Sequence, residues 1–243
     1  MTEEISHPKK REPIDPSDVA DRVIETLRAR WIELMAWSIV LVYSTVAVRE
    51  VSNALFRADK MALFGISYVL GFAAISAITI AFVRVTFAAV DGMKISIAES
   101  VAGSSHVFVR YIAASSSFSI SMFIGLLLLL VPGVLFMLVF GFAPILVIDE
   151  KLNPIAAYKR SAIITKGTRI SLLYIYGAAF LLAFMALAPW TLAPGAVGTG
   201  MFYAVATLIF CAFSVLSAVV TRALQAREKG VGEERLTQDS LSV

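Results

Sequence analysis

The stretch YIAASSSFSISMFIGLLLLLVPGVLFMLVFGFAPILVI, residues 111 to 148, passes through 38 positions without one Asp, Glu, Lys, Arg or His. Each helical residue adds about 1.5 Å, so roughly 20 apolar residues cross the hydrocarbon core of a bilayer. The stretch is long enough for two crossings and too long for one. Val131-Pro132-Gly133, near its middle, reads as a turn signal. It divides the stretch into spans 111–131 and 134–148. The second is short and carries Pro144, which predicts a tilted, kinked or re-entrant segment.

Two more charge-free runs flank it. Residues 61–83 provide 23 positions, enough for one span. Residues 170–221 provide 52, and the Pro- and Gly-rich segment from Pro189 to Gly200 splits them into spans 170–190 and 201–221. A sixth span, 31–48, carries Glu33 one turn from its start and no other charge. Across all 243 residues, 58% are hydrophobic and 16% charged, against roughly 25% charged in a soluble domain. The expected fold is all-α: an integral membrane helical bundle of about six transmembrane helices with amphipathic cytoplasmic connector helices. The same figures argue against disorder, a disulfide scaffold and a conventional nucleic-acid binder.

Basic residues orient the spans, because loops rich in Lys and Arg stay in the cytoplasm. With the N-terminus inside, 18 of the 21 basic residues fall on the cytoplasmic side, and only Arg49, Arg57 and Lys60 fall outside. The expected location is a bacterial cytoplasmic membrane, with both termini cytoplasmic. Thirty mostly polar residues precede the first apolar run, so span one is expected to remain as an anchor.

Residues 1–30 read as a polar arm. Val19, Val23, Leu27 and Trp31 recur every four residues, which suits a short amphipathic helix on the membrane surface or one continuous with span one. Residues 31–221 form one membrane domain, and residues 222–243 read as a loose polar tail. Cys211, the lone cysteine, is expected to serve packing. The pI of about 9.0 follows from the basic loops and points to anionic lipid rather than nucleic acid.

The two long internal loops resemble one another. Asp91 is followed six and seven residues later by Ile97 and Ala98, and Asp149 at the same distances by Ile155 and Ala156. Each loop enters the next span through a basic residue, Arg110 or Arg169. Two related hairpins would produce this pattern.

The second loop is the more patterned. Asn153 suits an N-cap, Pro154 the first helical position and Gly167 a left-handed stop, which predicts a helix over 154–166. Ile155, Tyr158, Ala162 and Thr165 share its expected apolar face. Lys159, Arg160 and Lys166 are candidate contacts for lipid phosphates or another anionic ligand, or else simply enforce topology.

Residues 131–167 resemble a bacterial multi-span membrane protein family. That family includes the membrane domain of some glycerophosphoryl diester phosphodiesterases and stand-alone relatives. The resemblance is carried by Pro132, Gly133, Asp149, Ala157, Lys159, Arg160, Ser161, Lys166 and Gly167. It implies a six-span inner-membrane protein with a link to glycerophospholipid metabolism, and it brings no catalytic residues.

No catalytic residue, metal site or cofactor is assigned. His7, His106 and Cys211 are too scattered to form a zinc site, and no nucleophile elbow, P-loop or H-E-x-x-H occurs. The remaining polar feature is Ser115, Ser116, Ser117, Ser119 and Ser121 in span three. Ser117, Ser121 and Gly125 recur every four residues, a stripe suited to close helix packing or to lining a neutral path. The expected role is non-enzymatic, organising membrane lipid or a partner at the cytoplasmic face. The alternative is a facilitative transporter of a small neutral or amphiphilic solute along Ser115, Ser117, Ser119 and Ser121.

Overall fold

The computed structural model describes residues 14–102, 104, 106–128, 130–192 and 195–241, so the first 13 residues of the polar arm, with His7, lie outside it. All regular structure among the described residues is helical.

The first helix, α1 (Pro16–Arg57), starts where Asp15 accepts the Ser17 N–H at 2.9 Å and Pro16 fills the first turn. It joins the arm helix to the first span. The only non-helical residue inside it is Arg30 (φ −136°, ψ 27°). That break shifts the helical phase. Val19 is buried, and Val23 and Leu27 pack against the core, while Trp31, the fourth member of the same row, is left exposed. The row therefore faces protein. Glu33 pairs with Arg30 at 2.7 Å, and the Arg30 guanidinium also donates to the Met93 carbonyl.

Next come α2 (Met61–Val90), the short α3 (Ile97–Ala102) and α4 (Phe108–Leu128). Ser96 and Glu99 open α3 with reciprocal bonds: the Ser96 N–H donates to Glu99 Oε2 at 2.8 Å, and the Glu99 N–H donates to Ser96 Oγ at 3.2 Å. The Ser96 backbone N–H and then its hydroxyl hold the Glu99 carboxyl below its ordinary pKa.

The 38-residue run differs from its sequence reading. Helix α5 runs from Leu130 to Phe140 and α6 from Ala143 to Asp149. Pro132 and Gly133 thus lie within α5, because proline is tolerated in a first turn where its missing N–H has no helical partner. The interruption falls instead at Gly141-Phe142, just ahead of Pro144, so the expected fourth span is two helices.

Helix α7 (Pro154–Ile164) precedes α8 (Arg169–Leu192) and α9 (Gly195–Leu241). The last of these corrects the expected loose tail, since the helix continues well past Arg222.

Neighbouring helices pair as antiparallel hairpins. Ser52 and Ser67 Oγ atoms lie 3.2 Å apart across α1 and α2. Phe118 and Phe136 stack at 5.8 Å across α4 and α5, and Tyr176 meets Phe213 at 5.5 Å across α8 and α9.

Packing is uneven along the bundle. At the end where α2 and α6 finish, Phe82, Val85, Leu146, Val147, Leu172, Val215, Val219 and Val220 are all buried. At the other end Leu70, Leu127 and Leu182 are 65%, 71% and 69% exposed. Apolar surface on that scale is consistent with contact with hydrocarbon rather than water. Among the described residues four helices are long and apolar enough to cross a membrane: Pro16–Arg57, Met61–Val90, Arg169–Pro189 and Gly198–Lys229. The apolar stretch Gly133–Asp149 is shorter.

Gly71 sets how closely α1 and α2 approach. A Cβ there would lie 2.2 Å from a Val48 methyl, whereas one at Gly65 would meet nothing within 4 Å. Gly71→Ala should cost about 1–2 kcal/mol, the strain outweighing the gain in helix propensity. Gly65→Ala should cost nothing, and Val48→Ala should rescue Gly71→Ala. Unfolding midpoints in detergent measure all three.

Candidate functional site

Seven polar side chains from four helices converge at the well-packed end. Asp91 is the C-cap of α2, Asp149 the last residue of α6 and Glu150 its C-cap. A carboxylate at a helix C-terminus faces the negative end of the helix dipole and needs a nearby cation. Arg222 of α9 supplies it. Its Nε donates to Asp91 Oδ1 at 2.8 Å and its Nη2 to Asp91 Oδ2 at 2.6 Å, a two-pronged bond, while Nη1 reaches Asp149 Oδ2 at 2.8 Å. The guanidinium also sits over the Phe87 ring, 4.5 Å from its centre.

One turn further along α9, the Gln225 amide donates to Asp149 and to Glu150, each at 2.9 Å. Its Oε1 accepts from Arg222 at 2.8 Å. Arg160 of α7 pairs with Glu150 at 3.2 Å and with Glu228 of α9. Residues 222, 225 and 228 are spaced to share one face of α9, which is the face this network holds. Asp91 and Asp149, matched by the loop similarity in the sequence, thus meet on a single arginine.

The turn out of α6 is tied down as well. Lys151 adopts a left-handed conformation (φ +55°), and its carbonyl accepts from Arg110 at 3.0 Å. The corresponding turn out of α2 passes through left-handed Gly92 (φ +70°). Both hairpins therefore redirect the chain immediately after an acidic residue.

Helix α7 starts as its sequence predicts, with Asn153 accepting the Ala156 N–H at 2.8 Å and Pro154 in the first turn. It ends at Ile164 rather than Lys166, with Thr165 as C-cap and Gly167 left-handed (φ +85°). The buried face is also rotated from expectation. Ala157, Ser161, Ile164 and Thr165 are buried, whereas Ile155 is 71% exposed. Ser161 Oγ donates to the Val139 carbonyl at 2.6 Å, which ties α7 to α5.

The three basic candidates of α7 consequently separate. Arg160 turns inward to Glu150 and Glu228. Lys159 and Lys166 are exposed, and Lys159 shares a stripe with Ile155 and Ile163, positions four residues apart.

Within the serine cluster, Ser117 is taken up by contacts to its own helix and to α7. Ser117 Oγ donates to the Ala113 carbonyl at 2.6 Å and lies 3.2 Å from the Tyr158 hydroxyl, which itself donates to the Ala114 carbonyl at 3.0 Å. The cavity beside α4 is lined by Phe118 and Met122 rather than by Ser115, Ser117, Ser119 or Ser121. Among the described residues no three of His, Cys, Asp and Glu are grouped to hold a metal.

Sequence reasoning missed Arg222, Gln225 and Glu228 because their polarity resembled a tail. The signal was present in Val215, Val219, Val220 and Leu224, whose helical spacing carries the buried stripe past the last apolar run. Comparison with protein-family models, curated proteins and solved structures yields no match.

Replacing Arg222 with Met keeps the aliphatic length and strands Asp91 and Asp149 at two helix ends. The pair is partly exposed, so the loss should fall between surface and buried ion pairs, about 2–3 kcal/mol. Adding Asp91→Asn and Asp149→Asn should recover part of it. An unchanged thermal midpoint for Arg222→Met would remove the network from the list of stabilising contacts.

Proposed function

We propose that the chain is a six-pass protein of a bacterial cytoplasmic membrane with both termini in the cytoplasm. Its proposed role is non-enzymatic, to hold anionic lipid or a partner protein at the cytoplasmic face. In this reading α4 and the α5–α6 pair are the third and fourth crossings. The antiparallel order of the hairpins and the bias of 18 basic residues to one side support that count.

The observation that carries the reading is the outer stripe of α7. Ile155 and Ile163, 71% and 50% exposed, flank Lys159, and Lys166 follows at the helix end. Apolar side chains that dip below the phosphates, beside ammonium groups that reach them, are the features of an interfacial helix. Arg160, spent on Glu150 and Glu228, anchors the helix and leaves this stripe outward. The resemblance of residues 131–167 to a family linked to glycerophospholipid metabolism agrees with a lipid-directed role.

A basic side chain at an anionic surface contributes about 1 kcal/mol. Lys159→Gln with Lys166→Gln should therefore lower the preference of reconstituted protein for spin-labelled phosphatidylglycerol over phosphatidylcholine by about tenfold or more, with thermal stability retained. Arg160→Gln should instead lower stability. A folded double-lysine variant with unchanged lipid preference would refute the role of α7.

Orientation has its own test. Cys211 is the chain's one cysteine. In a Cys211→Ser background, Lys60→Cys should react with a membrane-impermeant thiol reagent from outside the cell, and Lys94→Cys should not. The reverse pattern would invert the topology.

A further inference from the structure

An apolar slot of about 530 Å3 opens between α4 and α5 on one side and α8 and α9 on the other. That volume lies in the range of small-molecule sites, far above the roughly 30 Å3 of one water. Phe118, Met122, Met137 and Phe142 form one wall, and Leu173 and Phe180 the facing one. The hydroxyls in its lining, those of Tyr176 and Ser217, bond each other at 3.4 Å and leave little to attract a polar solute.

Two features specify an occupant. Gly177 lines the slot, and a Cβ built there meets no atom within 4 Å, so space remains at the centre of the α8 wall. Arg169 stands at one end. On a helix, residues 169, 173, 176 and 180 share a face, which places Arg169 one turn, about 6 Å, beyond Leu173 on the side that lines the slot. Arg169 is exposed and makes no hydrogen bond or ion pair among the described residues. An unpaired guanidinium above an apolar slot matches an anionic head joined to a hydrocarbon chain.

We infer that the slot holds one acyl chain of an anionic phospholipid, whose phosphate is bound by Arg169. The lipid comes from the leaflet that meets the turn between α7 and α8. The inference rests on the membrane-embedded reading above and names a site separate from the α7 stripe. Lipid at the stripe exchanges freely along a surface, whereas lipid in the slot is held one per chain.

The test titrates the full chain in detergent with phosphatidylglycerol, with phosphatidylcholine of the same chains and with inorganic phosphate, and counts bound molecules by native mass spectrometry. One phosphatidylglycerol should survive detergent exchange, with phosphatidylcholine held at least tenfold more weakly and phosphate not retained. Gly177→Phe should fill the slot and abolish retention of either lipid without loss of helicity, since Phe is the better helix former. Gly177→Leu serves as the smaller version. Arg169→Gln should erase the preference for phosphatidylglycerol while leaving retention of phosphatidylcholine unchanged. A folded Gly177 variant that keeps its lipid, an Arg169→Gln variant that keeps its preference, or phosphate retained as well as lipid would each overturn the site. Lys159→Gln with Lys166→Gln should leave the single lipid in place, so failure of the α7 reading and failure of the slot give different results.

Discussion

Two helices of this protein end in carboxylates, the wrong charge for a helix C-terminus, and one arginine offsets both. Arg222 gathers Asp91 at the end of α2 and Asp149 at the end of α6, which brings two hairpins onto α9. Gln225 and Arg160 extend the contact to Glu150, and Arg160 to Glu228, so that α7 joins the same junction. Each partner alone would be a poorly placed polar group. Together they satisfy one another, which is the condition under which a partly buried polar network orders its surroundings rather than weakening them.

That junction accounts for the unequal packing of the bundle. Around it the helices are drawn close, and Leu146, Val147, Val215 and Val220 are fully enclosed. Away from it α8 leans on α9 and little else, and the space between α8 and α5 stays open. In water such a gap would collapse or expose a costly apolar surface. In hydrocarbon such a gap would cost little, because apolar walls would meet apolar surroundings.

Local signals in the sequence were legible where the physics is local. Asn153 and Pro154 start α7 where their chemistry requires, and Gly167 is left-handed as its position suggested. The similarity of the loops after Asp91 and Asp149 marked two residues that do share a partner. Other features depended on distant contacts. Arg160 looked like a lipid contact beside Lys159, yet its partner Glu228 lies 68 residues away. The face of α7 was misplaced because Ile155 is apolar in composition but outward in the fold, while small Ala157 and Ser161 are buried, Ser161 against α5. Pro132 and Gly133 looked like a turn, although proline is equally at home opening a helix.

The distribution of charge along the chain was enough, by itself, to determine an all-helical architecture with runs long enough for a membrane, since length and hydropathy are properties of each segment alone. Asn153 and Pro154 likewise determined where α7 begins. Only the tertiary structure decided which ionisable groups pair inward and which face outward, and where the apolar walls part. Those outcomes depend on side chains brought together from segments as far apart as residues 91, 149 and 222, and no local spacing encodes such a meeting.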